Sequence, residues 1–178
     1  MQGRDHEPDA MMPISLTDEQ AFTALRGFLL DVLPDGAEVV QGQDNRVPMP
    51  TAPVFVVMTA LTRQQMAQTT HDYRPADNQE DVARSTGLMF QIDVYGDGAA
   101  DNAQIITTLL RDAWGGAFLK PSGLAPLYCE DPTQMPLLTG EQQYLARWTI
   151  KCALHASVAI TVPAQFADSL VTTLQEVK

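Results

Sequence analysis

The sequence predicts an α+β fold: a largely antiparallel or mixed sheet with two main helices packed on one face and a long, bent C-terminal strand. Three observations carry this. Between Tyr144 and Val162 every even position is apolar, including Trp148, Ile150, Cys152, Leu154 and Val158, while Arg147, Thr149, Lys151, His155 and Thr161 fall on odd positions. That unbroken period of two specifies one buried face and one polar face. Gly87 to Tyr95 alternates in the same way, and two other segments carry apolar residues at helical spacing.

The elements follow in chain order. Met1 to Pro13 is polar and proline-ended, so residues 1–15 read as a flexible N-terminal arm and residues 16–178 as a single domain. Thr17 and Gln20 form a capping-box pattern with Asp18 and Glu19 in the first turn. Phe22, Leu25, Phe28, Leu29, Val32 and Leu33 then share a helical face until Pro34-Asp35-Gly36 ends it. Glu38 to Gln43 predicts a short strand, with turn chemistry through Gln43-Asp44-Asn45-Arg46. Val54 to Leu61 is apolar on both faces, as a central or interfacial strand would be.

From Thr62 to Thr86 the periodicity vanishes, which predicts a polar insert, an excursion used for contacts and ordered only on assembly. The second alternating strand places Leu88, Phe90, Ile92 and Val94 inward and Gln91 and Asp93 outward. Gly96-Asp97-Gly98 turns the chain, and Asp101 is the expected cap of a second helix. Ile105, Ile106, Leu109, Leu110, Ala113 and Trp114 should share its apolar face, with Gly115-Gly116 as the stop. Leu124 to Cys129 predicts a short strand, and Glu130 to Gly140 a connection into the long ribbon. That ribbon is too long for one small sheet, so a bend or break near Ala156 is expected. Pro163 to Asp168 reads as a helical turn and Ser169 to Val177 as a strand.

Composition bounds the function. Against 22 acidic residues stand 11 basic ones, a net charge of -11 in 178 residues, which disfavours docking on nucleic acid but suits a wall past which DNA slides. No apolar run is long enough to span a bilayer. Cys129 and Cys152 read as buried free thiols. His6, His71 and His155 lack metal-ligand spacing, and turn and cap duties explain Asp97 and Asp101 better than a calcium loop with Asp93 does. No Walker loop, nucleophile elbow or dinucleotide fingerprint is present. The sequence therefore predicts no catalytic residue, no cofactor and no metal site. What remains is interface chemistry: Arg46 after the short strand, His71, Tyr73 and Arg74 in the polar insert, and Arg147, Lys151 and His155 on the polar side of the ribbon. Arg147 is expected to pair across a subunit boundary, so that Arg147→Glu, or deletion of residues 64–84, would impair assembly and leave the monomer folded.

Several segments also resemble the neck or tail-terminator proteins of tailed bacteriophages. They are Val39 to Pro50 (VVQGQDNRVPMP), Asp93 to Gly96, Pro126 to Tyr128, Gly140 to Tyr144 with Arg147-Trp148, and Gln165 to Asp168. The resemblance implies a homo-oligomeric ring, commonly sixfold, at the head-proximal end of the tail tube. There it would end tube polymerisation and join the tail to the head connector, with DNA passing through the lumen without specific binding. Its partners would be itself, the tail tube protein and the connector, without a membrane. Its location would be the virion, after assembly in the host cytoplasm. Another neck or tube ring subunit, such as a head-completion protein, and an acidic DNA mimic are the alternative readings.

Overall fold

A computed structural model describes residues 12–43, 50–135, 137–138 and 144–164. Helix α1 (Asp18–Val32) starts as its sequence dictates: the Gln20 N–H donates to the Thr17 hydroxyl, and the Thr17 N–H donates to the Gln20 side chain. Its buried stripe is Ala21, Phe22, Leu25, Phe28 and Leu29. Strands β1 (Glu38–Gln41) and β2 (Val54–Gln65) pair in parallel. Strands β3 (Thr70–Arg74) and β4 (Gln79–Gly96) follow, then helices α2 (Ala99–Arg111) and α3 (Ala113–Leu119). The chain continues through β5 (Leu124–Cys129), β6 (Thr133–Gln134), β7 (Leu137–Leu138), β8 (Tyr144–Leu145) and β9 (Arg147–Pro163).

A seven-stranded mixed sheet runs in the order β1-β2-β4-β9-β5, with β3 added to β4 and β6 to β9. Its axis is the antiparallel β4/β9 ladder, unbroken in register from Gln79↔Pro163 to Tyr95↔Arg147. Of the two expectations for the ribbon, a long bent strand or a break near Ala156, the break does not occur: β9 runs from Arg147 to Pro163, and the ribbon is interrupted only at Ala146, between β8 and β9. Cross-strand partners share a face, so parity sorts the two strands completely. Leu88, Phe90, Ile92 and Val94 of β4 lie with Ile150, Cys152, Leu154 and Ala156 of β9 in one core beneath the helices. Phe22 of α1 meets Phe90 edge-on, with ring centroids 5.3 Å apart.

Four expectations are corrected. The segment 62–86 is not without regular structure: β2 runs on to Gln65, and β3 and the first half of β4 form a hairpin whose β4 strand also pairs with the end of β9. The alternation is hidden because both faces of this distal arm are polar or half-exposed. Helix α2 is capped by Gly98, at φ +68°, and Asp101 sits inside the first turn, where its charge favours the dipole. The glycines Gly115 and Gly116 do not stop α2; they lie within α3, after an extended Asp112 has ended it. A Cβ on Gly115 would come within 2.8 Å of the Leu109 carbonyl oxygen, so glycine is what lets α3 fold back against α2. Finally, Ile105 and Trp114 do not share the buried face, which is built from Ala99, Ala103, Ile106, Thr107 and Leu110 with Asn102.

Residues 1–11 lie outside the described residues, as do the turn at 44–46 and the segment 165–178. Of the arm assigned to residues 1–15, Ile14 and Ser15 are tied to β9. The Ser15 N–H donates to the Ala159 carbonyl at 2.9 Å, Ile14 bridges Ile160, and Leu16 is buried. Among the described residues no helix is long and apolar enough to cross a membrane.

Gly96 tests the β4-to-α2 turn. Its φ is +95°, and a Cβ there would lie 1.9 Å from the Pro53 carbonyl oxygen. Gly96→Ala should therefore destabilise the chain by more than about 1 kcal/mol, read as a lower urea midpoint at unchanged slope. An unchanged midpoint would contradict this turn geometry.

Candidate assembly surface

The helices cover one side of the sheet, and the other side carries a row of polar groups along β4 and β9. Register places Arg147, Thr149, Lys151, His155, Ser157 and Thr161 there with Tyr95, Asp93, Gln91, Ser85, Asp81 and Gln79. Asp93 lies on the outward face as expected, yet it is only 3% exposed. Its burial there has a specific cause. Its carboxylate accepts from Arg147 Nε (3.1 Å) and Nη2 (2.9 Å), from the Thr149 hydroxyl (2.6 Å) and from Gln91 Nε2 (2.8 Å). A buried carboxylate is tolerable only with such satisfaction. Hydrogen bonding to Asp93 holds the Arg147 guanidinium above its ordinary range, against the opposing effect of burial.

Apolar chemistry completes this end of the row. The Tyr95 ring stacks on Phe55 at 4.6 Å with 9° between planes, and the Arg147 guanidinium carbon lies 5.8 Å from the Tyr95 centroid on the other side of the register. Burial raises the Tyr95 phenol, the Asp93 charge raises it further, and Arg147 partly offsets both. Phe55 and Tyr95 are buried although they lie outside the core beneath the helices.

The same design recurs toward the distal arm. Asp81 accepts from its cross-strand partner Thr161 at 2.6 Å and from Arg74 Nη2 at 2.9 Å, and Arg74 also donates to Gln79. Between the two aspartates the Ser85 hydroxyl and His155 Nε2 are hydrogen-bonded at 2.8 Å. Cross-strand Asp and Thr, joined by Arg147 of β9 at one end and Arg74 of β3 at the other, thus clamp the ladder twice.

Of the residues singled out by sequence, Arg74, Arg147, Lys151 and His155 share the helix-free face. His71 and Tyr73 lie on the opposite face of the arm by register, where their rings stack with centroids 6.2 Å apart and His71 pairs with Glu80. Tyr73 is 56% exposed, and Lys151 is exposed. Arg46 lies outside the described residues. Asp93 and Asp81 were missed as organisers of this surface. The signal that could have found them is an Asp on one alternating strand matched to Thr on the other, which needs the register to be known first.

The ion pair also changes what a charge reversal does. Arg147→Glu would set a second carboxylate against Asp93, and deletion of residues 64–84 would remove β3 and part of β4, so neither leaves the monomer as it is. Those changes disturb the fold before they test assembly.

Residues 19–177 match the family model described as phage neck terminator protein. Sixteen chains of solved structures match the fold. Among them is a sheath/tube terminator of an extracellular contractile injection system, PVC, seen by cryo-EM in the extended state, with a TM-score of 0.50 and 10% sequence identity. The alignment covers 92% of this chain and 65% of that one, so the chain spans just under two thirds of its neighbour's length. At that identity the likeness speaks for the fold alone. No curated protein sequence matches the chain.

Asp93→Ala leaves Arg147 half-buried with no carboxylate. It should cost about 3–5 kcal/mol in chemical denaturation, whereas Arg147→Met with Asp93→Asn together should cost clearly less. Equal costs for the single and double variants would show that the pair is not coupled.

Proposed function

The chain belongs to the phage neck terminator family, and from that premise we propose that it closes into a homo-oligomeric ring, of six subunits, at the head-proximal end of a tail tube. The ring ends tube polymerisation on one side and joins the tail to the head connector on the other. The single observation that carries this reading is the family match, which runs over residues 19–177 and so includes every named strand and all of the helices but the first residue of α1. The role is structural, not catalytic, and its place is the virion tail, after assembly in the host cytoplasm.

The geometry supports a mechanism of assembly by surface complementarity. A head-to-tail contact closes into a ring when its rotation divides a full turn. Two features of this chain lend themselves to such a contact. One is the helix-free face with Lys151 and His155; the other is the distal arm, where β3 presents His71 and Tyr73. Both are polar enough to remain in water before assembly and broad enough to contribute to the roughly 1,000 Å² that a specific interface needs. Arg74 and Arg147 act here as rigid supports, because their guanidinium groups are already committed to Asp81 and Asp93.

Native mass measurement with negative-stain imaging, for the chain alone and with polymerising tube protein, tests the reading. Hollow rings that cap tubes at a fixed length are expected. Lys151→Glu with Tyr73→Ala should keep the circular dichroism of the parent and lower the ring fraction roughly tenfold, the effect of about 1.4 kcal/mol at the contact. A monomer at every concentration, with tube growth unaffected, would overturn the proposal.

A further inference from the structure

Cys129 ends β5, and Cys152 lies directly opposite it on β9. The Glu130 N–H donates to the Lys151 carbonyl at 2.7 Å, which makes that neighbouring pair the hydrogen-bonded one. By alternation Cys129 and Cys152 occupy a non-hydrogen-bonded site, where opposed Cα atoms approach to about 4.5 Å and side chains are closest. This separation falls at the near end of the range of about 4.4–6.8 Å that a disulfide spans. Both side chains belong to the core beneath the helices, and both thiols are free.

We propose that Cys129 and Cys152 are an oxidisable cross-strand dithiol, a modification site at which a small disulfide oxidant converts the pair to an intrachain disulfide that staples β5 to β9. The thiolate of Cys129 attacks one sulfur of the oxidant RSSR and expels RS⁻, which takes up a proton. The Cys152 sulfur, on losing its own proton, then displaces the second RS⁻ from Cys129. Two thiols lose two electrons and two protons, and RSSR is reduced to two RSH.

The attacking group is Cys129 because it is the slightly less enclosed residue, 4% exposed against 0% for Cys152, at the end of a strand that pairs with β9 alone. Burial raises its thiol to about 11, although the Arg111 guanidinium, which donates to the Cys129 carbonyl and to Asp131, opposes that rise. Burial pushes Cys152 up as well. The thiolate is therefore scarce near neutral pH, and the reaction is slow while the end of β5 stays closed. In a reducing compartment the pair stays as two thiols; in oxidising surroundings it closes. The inference rests on register and burial and is independent of ring formation.

The test is exposure of the full-length native chain to oxidised glutathione at about pH 7 and about pH 9, followed by intact mass under non-reducing denaturing conditions and peptide mapping. Expected are loss of two hydrogen atoms, a peptide linking Cys129 to Cys152, faster closure at the higher pH, and a melting temperature raised by about 5–10 °C that reverts on reduction. Cys129→Ser should abolish the mass change. The proposal fails if the native chain keeps the dithiol mass and closes only after denaturation, or if oxidation yields only linked dimers or stable glutathione adducts. The mapping on the unmodified sequence decides the matter even if the serine variant does not fold.

Discussion

The antiparallel ladder between β4 and β9 is the constraint on which the rest of this structure depends. Its register holds from Gln79↔Pro163 to Tyr95↔Arg147 without a slip, so each residue's face follows from its parity. A slip of one residue would put Phe90 and Ile92 in water and Asp93 under the helices. The ladder also sets what each end can do. At one end β2, β5 and the three helices enclose a dry core. At the other, β4 and β9 run on together past the helices, and β3 is added to make the distal arm.

The two faces are held by different physics. Beneath the helices, stabilisation comes from apolar burial, with Leu25, Phe28, Phe90, Ile92, Ile150 and Leu154 almost fully enclosed. On the open face it comes from satisfied polar groups, above all the carboxylates of Asp93 and Asp81, each receiving a cross-strand threonine hydroxyl and an arginine. Such clamps add little net stability over an apolar pair, but they penalise any other register, because a shifted strand would leave a buried carboxylate unpaired. A face of this kind can stay in water without the aggregation that an apolar sheet surface invites.

What the sequence made legible follows from this division. Strict alternation in 88–94 and 148–158 identified the two core strands, and the capping box at Thr17 located α1 to the residue. The helix pair was read as one helix because Gly115 looks like a stop when only local chemistry is considered. Its actual role, a close approach to Leu109 and Leu110, exists only once α3 has folded back. The burial of Asp93 was not legible for a similar reason: an aspartate on a polar face is ordinarily exposed, and its partner Arg147 is 54 residues away in the chain. The β3 strand and the first half of β4 escaped notice because they have no continuous apolar face to betray their period. Pairing there is inherited from the ladder, not signalled by the segment itself.

The distribution of positive charge extends the same logic to function. Among the described residues, Arg63 is tied to Asp18, Arg74 to Asp81, Arg111 to Asp131 and Arg147 to Asp93, while Arg26 donates to the Val39 carbonyl. Each of these guanidinium groups is engaged within the chain, the Arg147–Asp93 pair in a buried setting and the Arg63 and Arg111 pairs at the surface, where such pairs add little stability. Binding to a phosphate backbone draws its strength from several unpaired cations acting at once and from the counterions they release. Among the described residues these five arginines are engaged within the chain, and the full sequence carries 22 acidic residues against 11 basic ones. In the ring proposed above, such a charge balance would suit a wall past which DNA slides, with the arginines ordering the wall and the surplus of acids facing the phosphates.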